Sequence, residues 1–511
     1  MSKVKIGWSE KDITPSEKIA LAGQFFERIS NEVESPLKVT AMAVESGDEQ
    51  LIMVSCDLAS ISGILNDLVK EKITEKIDVN PDKIILSAIH THTSYTLPAQ
   101  SILTRKMLKQ SGKDKRDSTY SLNSFNYLKT VLPEDMAYKP LVSHETAQDP
   151  EVSLKFVAEK IVEAIEEAWN SREDAYYQNA FGRAVVGMCR RVTYDDGSAK
   201  MWGDSNKANF YDLEAGNDSG IELIYTFDKN KQLTGVVANI ACPAQVVEHR
   251  SFISSDYWGK VKENLEKKFG RRINVLGLCS AAGDQCPRDM IRWVNPETPI
   301  DDPNIKRENY IERVADPSMF DVSGLKLVGK RISNEIINVF EELGDNYKDE
   351  ALLIHETVDL SLPLRRVTIE EYEKAKQAID TFIEKNRGRR VTFEDNARLH
   401  IYSGNIERYE IQQKIDTVEM EVHYVRFGDI AIATNPFELF LDYGNRIRAR
   451  SLAKQTIIVQ LACGQGGYLP TEKAEKGSHY SAYVSSGYFG HEGGDMYVRT
   501  TLDKINGMFR K

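Results

Sequence analysis

A chain of 511 residues with 41% hydrophobic and 28% charged side chains has an ordinary globular composition, long enough for one large domain or two to three smaller ones. A net charge of −11 argues against nucleic acid or an anionic membrane as partner. No window approaches the roughly 20 apolar residues that cross a membrane, and Met1–Trp8 lacks the apolar run of a signal peptide, which together point to the cytoplasm.

In chain order, strands are predicted at 4–8, 39–44 and 51–56, then a helix over 62–77 and a short β-branched strand ending at His90. The polar stretch 95–150 follows as a lid or surface insertion. Residues 151–169 carry the apolar stripe of an amphipathic helix. Strands are expected at 180–188, 221–226, 233–241 and 273–278, and 288–320 reads as a second long loop. Helices at 323–343, 369–386, 404–416 and 439–453 alternate with strands at 352–361, 420–426, 429–434 and 456–461. The mixture implies an α/β fold: a large, mixed, twisted sheet flanked by helices, with the site on loops at strand ends. No internal repeat or low-complexity linker is visible, so residues 1–511 read as a single domain with insertions at about 95–150 and 288–320.

The sequence Lys83-Ile-Ile-Leu-Ser-Ala-Ile-His90-Thr-His92 carries the sharpest chemical signal. In extended backbone, residues i and i+2 share a face, so two imidazoles can enter one cleft as metal ligands or as acid and base. The six cysteines, at 56, 189, 242, 279, 286 and 463, include no Cys-x-x-Cys pair and make no disulfide framework. Four of them (Cys189, Cys242, Cys286 and Cys463) fall in loops expected to converge on the same cleft. The acidic pairs Glu166-Glu167 and Glu341-Glu342 read as solvated helix faces, and Trp258 as core.

Further motifs follow in order: Asp12-Ile-Thr-Pro15, Asp57, Ile253-Ser-Ser-Asp256, Ala282-Gly-Asp-Gln-Cys286-Pro-Arg288, Asn435-Pro-Phe-Glu438 and Leu461-Ala-Cys-Gly-Gln-Gly-Gly-Tyr468, with Tyr480 beyond. In this order the chain resembles the neutral/alkaline non-lysosomal ceramidases, zinc-dependent amidohydrolases. The resemblance implies a hydrolase acting on carbon–nitrogen bonds and a single zinc held by His90, Glu438 and Tyr468. Its second histidine ligand falls on Cys242 here. Cysteine thiolate is itself a zinc ligand; His249 is the alternative, and loss of the metal a third outcome. The same resemblance gives His92 a proton-shuttling role, Arg190 (or Arg191) oxyanion stabilisation and Tyr480 carbonyl polarisation. Cys286 stands where the family has serine. It either fills that volume or acts as a nucleophile activated by Arg288 or His92.

The chain stops about forty residues after Tyr468, so the family's C-terminal β-sandwich domain is not expected. The polar loops around the site argue for a soluble, polar N-acyl amide or ester rather than ceramide. Two other readings stay open: a different enzyme on the same scaffold (a carbohydrate-modifying isomerase or lyase, or a Cys286-nucleophile acyl transferase), or a non-catalytic binding protein. The partners implied are a small-molecule substrate, no nucleic acid and no stable membrane association, with homo-oligomerisation left open.

Overall fold

The computed structural model describes residues 1–112, 124–139, 146–294, 314–315 and 321–510. The α/β class holds, with mixed sheets flanked by helices. The strands are divided among three principal sheets rather than gathered in one. Each principal sheet is built alike: three antiparallel strands, a crossover helix, a fourth strand parallel to the third, and a closing helix.

In the first sheet, Ser2–Asp12, Lys38–Ser46 and Glu49–Cys56 run antiparallel, Gly63–Thr74 crosses over to Ile84–Ala88, and Pro150–Asn170 closes the unit. Short strands Glu173–Asp174 and Glu350–Ala351 extend its edge. In the second, Tyr176–Arg183, Gly220–Phe227 and Leu233–Ile240 are followed by Tyr257–Phe269, Asn274–Cys279 and Asp321–Glu342. In the third, Leu353–Pro363, Thr417–Phe427 and Ile430–Thr434 are followed by Leu441–Arg448, Gln455–Val459 and His491–Phe509. The threefold recurrence is topological. Unequal insertions, such as the helical pair Ile369–Lys385 and Phe393–Ile411 in the third unit, break any period in the sequence.

One face of each sheet packs on its own two helices, giving three outer cores. The other faces meet in a shared centre, where the register pairs Met53–Ile85, Val237–Leu276 and Ile432–Ile457 occupy equivalent places. Strands covered on both sides are predominantly apolar, and Ile84–Ala88, Ile430–Thr434 and Gln455–Val459 are buried at every residue.

The loops leaving the third and fourth strands of the three units interlock at one end of this centre. Ala244 N–H donates to Ile89 O (3.1 Å), Gln460 N–H to Cys279 O (3.0 Å) and Ala88 N–H to Leu461 O (3.3 Å), joining second unit to first, third to second and first to third. Three buried aspartates from the sequence motifs shape these loops. Asp57 Oδ2 accepts Lys38 N–H, Asp256 caps the helix at Tyr257, and Asp284 Oδ1 accepts Leu441 N–H.

Most predicted elements lie within a few residues of the observed ones. The helix expected at 404–416 begins earlier, at Phe393, because Thr392 and Asp395 form a reciprocal capping box; it ends at Ile411. Parts of both expected insertions, 113–123, 140–145, 295–313 and 316–320, lie outside the described residues. No helix among the described residues is long and apolar enough to cross a membrane.

Candidate functional site

His90 stands just past the end of Ile84–Ala88 with φ 72°, a left-handed conformation rare for a residue with a Cβ. Its Nδ1 lies 2.6 Å from Ala59 O. A carbonyl can only accept, so Nδ1 carries the proton and Nε2 faces the cleft. Glu438 Oε2 is 3.4 Å from that Nε2. Glu438 and Tyr468 are register partners in the parallel ribbon Phe437–Leu439/Gly467–Leu469, so their side chains project to the same side.

His92 is fixed by a similar chain of obligate partners. Arg190 Nη1 donates to Gln245 Oε1 (3.3 Å), so the Gln245 nitrogen is the atom facing His92 Nε2, at 2.8 Å. His92 Nε2 therefore accepts, and Nδ1 carries the proton toward Glu248 Oε2, 3.3 Å away. The two imidazole Nε2 atoms are 3.3 Å apart. The His90 Nε2 lone pair thus stands between His92 Nε2 and the Glu438 carboxylate, while the His92 Nε2 lone pair is taken up by the Gln245 N–H. Arg190 also donates to Gly283 O (3.0 Å) and Tyr468 Oη (3.2 Å), and its Nη2 is 4.0 Å from Glu438.

Burial holds His92 neutral, lowering its pKa to about 4 despite Glu248 beside it. Burial acts against ionised Glu248, but its contact with His92 and its neighbours His249 and Arg288 hold it well below the usual carboxylate range. Glu438 is likewise held low against burial by His90 and Arg190. Burial and neighbouring Glu438 push Tyr468 well above its ordinary value and Tyr480 up to about 12, so both phenols stay protonated at neutral pH.

The cleft has a volume of about 580 Å³ and meets a second chamber of about 750 Å³ along Phe25, Glu438, Tyr468 and Tyr480. Phe25 packs edge-on against Tyr480 with ring centroids 5.3 Å apart. Gly23 closes over His92: φ there is +93°, and a Cβ would come within 2.2 Å of the imidazole. Buried Arg28 pins this flap through Ala22 O, His92 O and Arg250 O, each at 2.6 Å.

The structure therefore brings together five of the anticipated residues, His90, His92, Arg190, Glu438 and Tyr468, with Tyr480 at the rim. Arg191 turns the other way. It pairs with Glu214 (2.5 Å) and donates to Ser478 O and Tyr480 O, clamping a loop in which Ser478, His479 and Ser481 all have positive φ. Cys242 lies in the second unit's apolar core with its thiol on Val186 O and Pro243 O, and does not line the cleft. His249 Nε2 sits behind Glu248, 3.5 Å from Oε1.

Cys286 is buried in a two-stranded ribbon with its thiol on Arg288 O. Burial outweighs Arg190 and Arg288 and pushes it up to about 12. The four loop cysteines thus do not meet in the cleft: Cys189 pairs with that same ribbon, and Cys463 lies beside His423. Gln245 and Glu248 are the site residues that sequence reasoning missed. Their available signal was polarity inside the otherwise apolar loop Cys242-Pro-Ala-Gln-Val-Val-Glu248.

No protein-family model matches this chain, and no curated protein does. Four chains of solved structures match. One is the neutral ceramidase from Pseudomonas aeruginosa, 14% identical with a TM-score of 0.66, the match covering 100% of this chain and 75% of that one. Another is a ceramidase complexed with C2, 14% identical with a TM-score of 0.64, covering 100% and 76%. At that identity the likeness establishes the fold: this chain is built on a neutral ceramidase-like α/β scaffold.

Proposed function

We propose that this protein is a zinc-dependent hydrolase that cleaves an amide or ester bond in a small, polar N-acyl substrate. The observation that carries this reading is His90 Nε2, unprotonated and facing the cleft, with His92 Nε2 3.3 Å and Glu438 Oε2 3.4 Å from it. Donors about 2.0–2.2 Å from a tetrahedral zinc stand roughly 3.3–3.5 Å from one another. His90 gives its other N–H to Ala59 O, and the His92 Nδ1 lies 3.3 Å from Glu248, the kind of outer partner that orients histidine ligands. A zinc ion would be held by His90 and Glu438 with Tyr468, and His92 would join them on exchanging the Gln245 N–H for the metal. In this assignment His92 takes the place expected of Cys242.

When bound, the metal supplies Lewis acidity and a water activated at neutral pH. Arg190, buried and held on three sides, places a permanent positive charge beside the point where an oxyanion develops. Tyr480, kept protonated by burial, donates its O–H to the substrate carbonyl oxygen. The Gly23 backbone closes over His92, and Phe25 lines the same side of the cleft. Glu248 holds His92 in its Nδ1–H tautomer.

A panel of polar N-acyl amides and esters, assayed with and without a chelator, tests this function. Turnover that is lost on chelation, restored by zinc and depressed in Tyr480→Phe supports it. Turnover indifferent to chelation contradicts it.

A further inference from the structure

A second convergence of metal-type donors lies away from the cleft. Glu421 and His423 occupy positions i and i+2 of strand Thr417–Phe427 and so share a face. Cys463 reaches them from the loop after Gln455–Val459. One ligand atom from each of the three lies within 4.8 Å of the other two. Cys463 Sγ is 3.5 Å from His423 Nε2, and Glu421 Oε1 is 2.9 Å from the same nitrogen. Glu421 and Cys463 line a cavity of about 680 Å³ that shares no lining residue with the cleft, so an ion has an entry path and an open coordination position.

Hydrogen bonding behind His423 decides what its Nε2 can be. His355 Nδ1 lies 3.1 Å from Gln50 O and must donate to it. In a neutral ring this leaves His355 Nε2 as an acceptor, 2.9 Å from His423 Nδ1. His423 Nδ1 therefore donates, and its Nε2 is a lone pair aimed between a carboxylate and a thiol. Such a nitrogen needs a cation, either a proton or a metal.

We propose that Glu421, His423 and Cys463 form a second metal site, for a zinc-type divalent transition-metal ion. Mixed S, N and O donors suit that class of ion, and a relay through a second residue is how proteins orient a histidine ligand. Binding displaces the Cys463 thiol proton and any proton on His423 Nε2, so protons are released and nothing is oxidised or reduced. Lys70, 2.7 Å from Glu421 Oε1, neutralises the carboxylate when no ion is bound and competes with the metal. The site is structural in effect. Cys463 N–H donates to Leu86 O in the strand that leads to His90, and Tyr468 follows Cys463 in the same loop. This inference is independent of the proposed hydrolysis.

The test is a cobalt(II) titration of the chelator-stripped full chain. A thiolate-to-cobalt charge-transfer band is expected in the near ultraviolet, with release of protons into a weakly buffered solution. The band is expected to persist in Cys242→Ala and His90→Ala, to vanish in Cys463→Ser, and to form at several-fold lower cobalt in Lys70→Met. Circular dichroism of Cys463→Ser verifies its fold; if it unfolds, His423→Gln takes its place, with loss of the band expected. No band in the wild type, or a band that survives Cys463→Ser or His423→Gln, overturns the proposal.

Discussion

The Gln245 amide nitrogen donates to His92 Nε2 at 2.8 Å, and its orientation is set by Arg190, which can only donate to the oxygen at the other end of the amide. This one side chain couples the anion-stabilising arginine to the imidazole that shares the cleft with His90. Replacing it with leucine leaves the Arg190 Nη1 contact unmade in a buried place, a cost of about 1–3 kcal/mol. It also frees the His92 ring to change tautomer. Gln245→Leu is expected to fold with a lowered melting temperature and to lose turnover through the displaced Arg190, while metal affinity does not fall because His92 Nε2 no longer holds the Gln245 N–H. Zinc titration against a chromophoric chelator measures the affinity.

Gly23→Ala tests the flap. The new Cβ would stand 2.2 Å from the His92 ring in backbone with φ +93°. Strain of about 1–3 kcal/mol is expected, together with displacement of the flap or the ring. Thermal denaturation should show the loss, and activity should fall by more than in Gly112→Ala, where φ is +68° but no atom of the described residues lies within 4 Å of the new Cβ.

Arg191 and Glu214 form a buried ion pair that positions the Tyr480 loop. Arg191→Met alone leaves Glu214 buried and unpaired and is expected to cost about 3–5 kcal/mol in denaturant unfolding. The double variant Arg191→Met/Glu214→Leu should recover much of that stability but not the turnover, because the donors to Ser478 O and Tyr480 O are still missing.

Asp256 gives a pH signature. Burial raises its folded-state pKa from 3.8 to about 7, against two backbone N–H donors that favour the ionised form. Between those values the folded state holds a proton that the unfolded state has released, so this group's contribution to stability is fully present below about pH 4 and declines as pH rises to about 7. The decline is at most about 1.4 kcal/mol per pH unit. Asp256→Asn lacks this dependence. The stability difference between wild type and variant should therefore shrink as pH rises from 4 to 7, read from urea midpoints at several pH values.

Cys286→Ser separates the hydrolase from the acyl-transfer alternative. With the thiol pushed up to about 12 it is protonated at neutral pH, and a buried protonated thiol is inert. Turnover in the serine variant should stay within about threefold of wild type. Loss of all activity with zinc retained would make Cys286 the nucleophile.

The legible parts of this protein were those where a single pattern fixed both structure and chemistry. The run ending at His90 is buried on both faces and is apolar at every position of Ile84–Ala88 but Ser87; 151–169 carries one apolar stripe and is the helix Pro150–Asn170. The resemblance carried by the motif order implied that His90, His92, Arg190, Glu438 and Tyr468 share a site, and the structure brings them together; the short strands Phe437–Leu439 and Gly467–Leu469 that hold Glu438 and Tyr468 were not legible. Orientation within a loop was not legible. Cys242 and Gln245 are three residues apart, and which of them turns to the cleft depends on the packing of Val186 and Pro243 around the thiol. Nor was the threefold recurrence, which lives in strand order rather than residue identity. The helix Tyr257–Phe269 escaped because its apolar face is short: Tyr257, Trp258, Val261 and Leu265.

The central claim is that His90, His92 and Glu438 hold a metal on which the chemistry depends. The direct measurement is zinc content of protein purified without chelator or metal-affinity resin, in a Cys463→Ser background that removes the second site. The account predicts about one zinc per chain, kept when Cys242→Ala is added and lost when His90→Ala or His92→Ala is added. Zinc that survives both histidine variants, or that is lost with Cys242, would contradict the assignment.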